Sequence, residues 1–181
     1  MKLFFSLAVL FFTASSFSQG TIIFNNRTPS GDAPISRWDG TGAGAGYTAQ
    51  LYLVGAGGAL TPLTPTTTFR NTSAAAAFFI NDINPFRVEG VLPGQSATFR
   101  FVVWETSAGS YENAVATGAA YGRSPTDVTV AQLGGIPAGG APIPPPALNG
   151  LIGFTVPIIP EPSSIALGLL GATVLLGFRR R

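Results

Sequence analysis

Residues 47–54, YTAQLYLV, put Tyr47, Ala49, Leu51 and Leu53 on one side of an extended chain and Thr48, Gln50, Tyr52 and Val54 on the other. Alternation with period two, in residues that favour a pleated surface, predicts a strand. Residues 97–105, ATFRFVVWE, repeat the pattern, with Ala97, Phe99, Phe101 and Val103 on one face and Thr98, Arg100, Val102 and Trp104 on the other. The Pro93-Gly94 pair just upstream predicts a sharp reversal before this strand. Shorter strands are predicted over 21–25, 66–70, 75–80, 86–91, 127–130 and 151–156, separated by Gly, Pro and Asn clusters. The alanine run 74–77 is also compatible with a short helix. No long window follows a 3.6-residue period, so the expected fold is all-β, an antiparallel β-sandwich. Two segments read as loops: a flexible hairpin loop at 39–46 (DGTGAGAG) and an extended, solvent-facing connection at 134–146 (GGIPAGGAPIPPP). The first lacks the third glycine of a dinucleotide fingerprint and the lysine of a phosphate loop, so it is not read as a nucleotide site.

Both ends of the chain carry a different pattern. Lys2 precedes the apolar run LFFSLAVLFFTA and then Ser15-Ser16-Phe17-Ser18, the three regions of a secretory signal. Small residues at Ser16 and Ser18 place signal cleavage between Ser18 and Gln19. At the other end, residues 165–178 (IALGLLGATVLLGF) hold no charge and run directly into Arg179, Arg180 and Arg181. A helix counted from Ser163 to Phe178 rises about 24 Å, short of the ~30 Å hydrocarbon core, so it must thin the bilayer or let its arginines snorkel. The positive-inside rule holds the arginines in the cytoplasm while the signal sends the rest across. Pro160 and Pro162 stop that helix from extending upstream and leave a stiff, accessible spacer.

The expected organisation is therefore a signal peptide at 1–18, a β-sandwich domain at 19–133, a Gly/Pro-rich loop at 134–147, a final strand and linker at 148–159, and a tail at 160–181. An N-terminal signal helix and a C-terminal transmembrane helix flank the β domain. Pro160-Glu161-Pro162-Ser163-Ser164, the apolar helix and the triple arginine together resemble the PEP-CTERM sorting signal of Gram-negative bacteria. Ile159 stands where that signal commonly has valine. The resemblance covers about the last two dozen residues. It implies that Pro160, Glu161 and Pro162 are recognised by an exosortase, a membrane-embedded transpeptidase-like enzyme, while residues 165–178 hold the chain in membrane lipid until processing. It also implies a destination at the cell surface or in the extracellular matrix. The expected partners are thus the Sec-type export machinery, signal peptidase, the exosortase and, after release, extracellular polysaccharide.

Charge sharpens this reading. Lys2 and the three terminal arginines account for the formal +2 of the chain. Residues 19–159 hold six arginines (27, 37, 70, 87, 100, 123) and seven acids (Asp32, Asp39, Asp82, Glu89, Glu105, Glu112, Asp127). A domain without a basic excess is no nucleic-acid binder. The chain has no cysteine and no histidine, and no lysine beyond Lys2. Thiolate and imidazole metal sites, Ser-His and Cys-His nucleophiles and Schiff-base lysines are excluded, and no metal or cofactor is expected. Glu105 and Glu112, beside Trp104 and Tyr111, are the remaining carboxylate pair of the kind glycoside hydrolysis uses, and they read more simply as solvated flanks of a hairpin turn at 107–110. Asn81, Asp82 and Asn84 follow no calcium-loop spacing and read as a turn. Asn26-Arg27-Thr28 and Asn71-Thr72-Ser73 match the glycosylation sequon.

The function expected from the sequence is a noncatalytic exported surface or matrix protein. The alternative is a lectin-like module, in which exposed aromatic faces bind sugar. Trp38 and Trp104 are its leading candidates, with Tyr52, Tyr111 and Tyr121 beside them.

Overall fold

The computed structural model describes residues 19–158. The predicted signal and transmembrane helices, Ser18 of the cleavage site and the motif Pro160-Glu161-Pro162 lie outside these residues. Among the described residues no helix is long and apolar enough to cross a membrane.

In chain order the strands are β1 (Gly20–Phe24), β2 (Arg27–Thr28), β3 (Gly31–Asp32), β4 (Ile35–Arg37), β5 (Tyr47–Val54), β6 (Leu60–Pro62), β7 (Thr67–Thr68), β8 (Ile83–Val88), β9 (Ala97–Glu105), β10 (Tyr121–Arg123), β11 (Val128–Val130) and β12 (Phe154–Val156). One α-helix, α1 (Tyr111–Thr117), lies between β9 and β10. The fold is all-β in class, with this helix as an insertion.

The two strands with the strongest alternation form the centre. β5 and β9 pair antiparallel from Tyr47↔Glu105 to Leu53↔Phe99. β10 and β11 share the free edge of β9, and β6 and β7 share that of β5. Between β10 and β11, Ser124 keeps the edge stitched: its N–H donates to the Phe101 carbonyl at 2.8 Å, and its Oγ accepts from the Phe101 N–H at 3.2 Å.

Ala49, Leu51, Phe99, Phe101 and Val103 point to one face and enter the main core, as the alternation predicts. The antiparallel pair β1·β8 covers that face with Ile22, Phe24, Phe86 and Val88. Phe24 sits at the junction, edge-on to Phe86 at 5.3 Å and to Phe101 at 5.6 Å between ring centroids. Burial of a side chain this large contributes about 1.5–3 kcal/mol. The opposite face of β5 and β9 presents Tyr52, Val102 and Trp104, and α1 closes over them with Ala114. Ser110 caps α1 by accepting from the Asn113 N–H, and Gly118, in the left-handed region at φ 76°, ends it.

Several expectations are corrected. Glu105 and Glu112 do not flank a tight hairpin turn: a 3₁₀ turn (Thr106–Ala108) and α1 fill that connection. Residues 75–80 form a 3₁₀ turn (Ala76–Phe78), not a strand, because the Ser73 carbonyl accepts from both the Ala76 and the Ala77 N–H and starts a helical turn. The sheets are not wholly antiparallel, since β4 pairs parallel with β12. The Gly-rich loop at 39–46 is not a hairpin loop: β4 pairs with β12 while β5 pairs with β9, so the loop crosses between sheets. The Gly/Pro segment after Leu133 is woven into the domain. Gly134 exchanges backbone hydrogen bonds with Thr21, Ile143 exchanges them with Gly135, and the Pro146 carbonyl accepts from Ile23. Gly134 is required there, because a Cβ would lie 2.6 Å from Pro145 Cα.

Candidate functional site

The two tryptophans have opposite fates. Trp38 is 62% exposed, in the turn that follows β4. Trp104 is 2% exposed beneath α1, and its indole N–H has no hydrogen-bond partner among the described residues. A covered ring offers no face to a sugar, so Trp104 is removed from the candidate platform. Tyr52 is buried as well. Tyr111 packs edge-on between Tyr52 and Tyr121, at 5.9 and 5.6 Å between centroids, and burial raises its hydroxyl pKa. These three tyrosines glue α1 to the sheet and present no flat, exposed row.

The candidate acids are also occupied. Glu112 accepts the phenolic hydroxyl of Tyr52, and that hydrogen bond holds its carboxyl below the ordinary value. A general acid needs the opposite shift. Asp82 accepts from Arg70 and, at 2.9 Å, from the Asn25 amide, and the Asn81 amide donates to the Thr68 carbonyl at 3.0 Å. The sequon asparagines divide similarly. Asn26 is fully buried: its amide donates to the Ala33 and Phe78 carbonyls at 2.8 and 3.0 Å, and its oxygen accepts from the Ile80 N–H at 3.0 Å. No group of this side chain is left for a glycan. Asn71 is exposed.

Asn71 lines a sizeable depression among the described residues. This cleft of about 650 Å³ has one wall from Arg37, Gly40, Thr41, Gly42 and Gly44, and another from Arg70, Asn71, Ser73, Ala74, Ala75, Ala77 and Phe78. The volume is typical of small-ligand sites, roughly 300–1,000 Å³. Backbone contact holds the walls together. The Gly44 N–H donates to the Ala77 carbonyl at 3.0 Å, and a Cβ on Gly42 would lie 2.5 Å from the Ala77 carbonyl carbon. From below, Asn26 fixes Phe78 and Ile80.

On the first wall the turn is rigid. The Arg37 N–H donates to the Thr41 carbonyl at 2.8 Å and the Gly40 N–H to the Arg37 carbonyl at 3.0 Å. Asp39 Oδ1 accepts from the Thr41 N–H and hydroxyl at 2.9 and 2.6 Å, and these bonds lower its pKa. Arg37 Nε donates to Thr41 Oγ1 at 3.0 Å and stands 4.0 Å from Asp39 Oδ1. Arg70 Nε donates to the Ile80 carbonyl at 2.9 Å, and its Nη2 pairs with Asp82. Among the described residues, both Nη atoms of Arg37 and the Nη1 of Arg70 have no protein partner. Nothing local in the chain marks this cleft, because its walls are some thirty positions apart.

Comparison with protein-family models, with curated proteins and with solved structures found no match to this chain.

Proposed function

We propose that this protein is a noncatalytic surface or extracellular-matrix component built on a β-sandwich. A signal peptide exports it, and an exosortase sorts and processes it through Pro160-Glu161-Pro162. The observation that carries this reading is the tail itself: a Pro-Glu-Pro spacer, an uncharged run at 165–178 and three terminal arginines in immediate succession. The placement of β1 supports it, because that strand begins at Gly20, directly after the expected cleavage bond between Ser18 and Gln19. The test is replacement of Pro160, Glu161 and Pro162 by alanine in a bacterium that carries an exosortase. Tail processing should stop, with the full-length chain accumulating in the membrane fraction. Processing at the normal rate would overturn the reading.

A second reading, carbohydrate binding, is favoured by one observation: a cleft lined by Arg37 and Arg70 together with apolar, hydroxyl and amide side chains. The two readings are compatible, since a matrix protein that grips polysaccharide needs no catalytic group.

A further inference from the structure

We infer that the cleft between residues 37–44 and 70–78 binds the carboxylate of an acidic saccharide, a uronic-acid unit within an oligosaccharide. The inference rests on the carbohydrate-binding reading and is independent of the export route.

Charge is the first argument. Two arginines line the cleft and no aspartate or glutamate does; Arg70 is paired with Asp82, so Arg37 is the cation the ligand meets first. Arg37 is held by its Nε alone: Thr41 Oγ1 takes that hydrogen, and Asp39, whose Oδ1 is already engaged by Thr41, stands too far off for a hydrogen bond. The Thr41 bond fixes the plane of the guanidinium and leaves its terminal Nη pair unused among the described residues. Such a pair matches the two oxygens of a carboxylate, and a guanidinium oriented in advance loses little entropy on binding.

The rest of the lining argues for a sugar over a simple anion. Ala74, Ala75, Ala77 and Phe78 form an apolar surface, while Asn71 and Ser73 supply amide and hydroxyl groups. A pyranose has that same division, with C–H faces and a rim of hydroxyls. Trp38 follows Arg37 in the chain and is exposed but is not part of the lining, so the saccharide assignment rests on the cleft residues themselves. Phosphate and acetate lack a ring face to lay against the apolar residues and would use only the polar part of this lining.

The test is isothermal titration of the full-length chain in detergent. The probes are trigalacturonate, its carboxyl-reduced neutral trisaccharide, and sodium acetate and inorganic phosphate as plain anions. Trigalacturonate should bind, with affinity falling as sodium chloride rises from about 50 to about 300 mM. The other three probes should bind at least about tenfold more weakly. Arg37→Gln and the cleft-filling Ala75→Trp should each weaken trigalacturonate by about tenfold or more, whereas Arg87→Gln, an exposed arginine of β8 outside the cleft, should not. Thermal midpoints measured alongside must match the unmodified chain for a variant to count, and salt dependence reads the same contact without any substitution. Equal binding of the neutral trisaccharide, unaffected by Arg37→Gln, would overturn the carboxylate site and leave the carbohydrate reading standing. Binding of acetate or phosphate as tight as trigalacturonate would overturn the saccharide assignment. Absence of binding by both trisaccharides would overturn the inference and the carbohydrate reading together.

Discussion

Tyr52 donates its phenolic hydroxyl to the Glu112 carboxylate, joining the outer face of β5 to the first turn of α1. Burial first, and then Glu112, push the Tyr52 hydroxyl far above its ordinary value. The folded chain holds this proton more tightly than the unfolded one, so the contribution is complete below about pH 10 and is lost as pH rises towards the folded value. Glu112 behaves in reverse. Its depressed pKa, caused chiefly by Tyr52, gives a contribution present above about pH 4.3 and lost as pH falls through the folded value. Urea midpoints measured from acid to alkaline pH should fall at both ends, and Tyr52→Phe should flatten both slopes. A profile unchanged by Tyr52→Phe would show that the pair carries no linkage.

Asn26, just after β1, ties Ala33, between β3 and β4, to Phe78 and Ile80 at the 3₁₀ turn Ala76–Phe78. Its replacement by leucine strands the Ala33 and Phe78 carbonyls and the Ile80 N–H, each at about 1–3 kcal/mol when left unsatisfied in the interior. The expected loss is about 3 kcal/mol or more, read from urea unfolding. Thr28→Ala destroys the same sequon and leaves these three bonds alone, so it should cost less than about 1 kcal/mol.

The two tryptophans make the fold readable by fluorescence. Trp38→Phe should leave only the shielded indole of Trp104, with blue-shifted emission and little quenching by iodide. Trp104→Phe should leave emission that iodide quenches readily. Comparable quenching in the two variants would contradict the exposures of 62% and 2%.

Arg100 and Asp127 form a bidentate pair, 2.7 and 2.8 Å, that clamps the start of β11 to the outer face of β9. The Arg100 guanidinium keeps the Asp127 carboxyl below its usual range. Asp127→Asn should cost about 1 kcal/mol near neutral pH. The difference from the unmodified chain should vanish as the pH drops through the folded pKa of Asp127, since the native carboxyl then also loses its charge. Chemical denaturation at neutral and strongly acidic pH measures both.

β5 and β9 were legible in the sequence because a pleat assigns every second residue to one face, and both faces of these strands are buried by chemically distinct partners. α1 was not, since seven residues with one buried position, Ala114, cannot display a helical period. Its signals were the boundary residues Ser110 and Gly118. The β4·β12 pair is three residues on each side and carries no turn signature between its strands. Trp104 misled for a plain reason: alternation identifies which face a side chain joins, and only the tertiary structure reveals that a helix covers that face. The cleft depends on two loops meeting through Gly42 and Gly44, a relationship with no local footprint.

The β4·β12 pairing also governs when the domain can fold. Ser36 and Thr155 share a hydrogen bond at a sequence separation of 119, and the first strand needs Gly134 and Pro146 to complete its own bonds. Contacts of this span reward the chain only after their loop-closure entropy has been met, which places such topologies among the slower folders. A chain emerging N-terminus first, from a ribosome or a membrane channel, cannot complete either pairing until nearly the whole domain is out. β1 and β4 therefore complete their bonding last, although they come first in the chain.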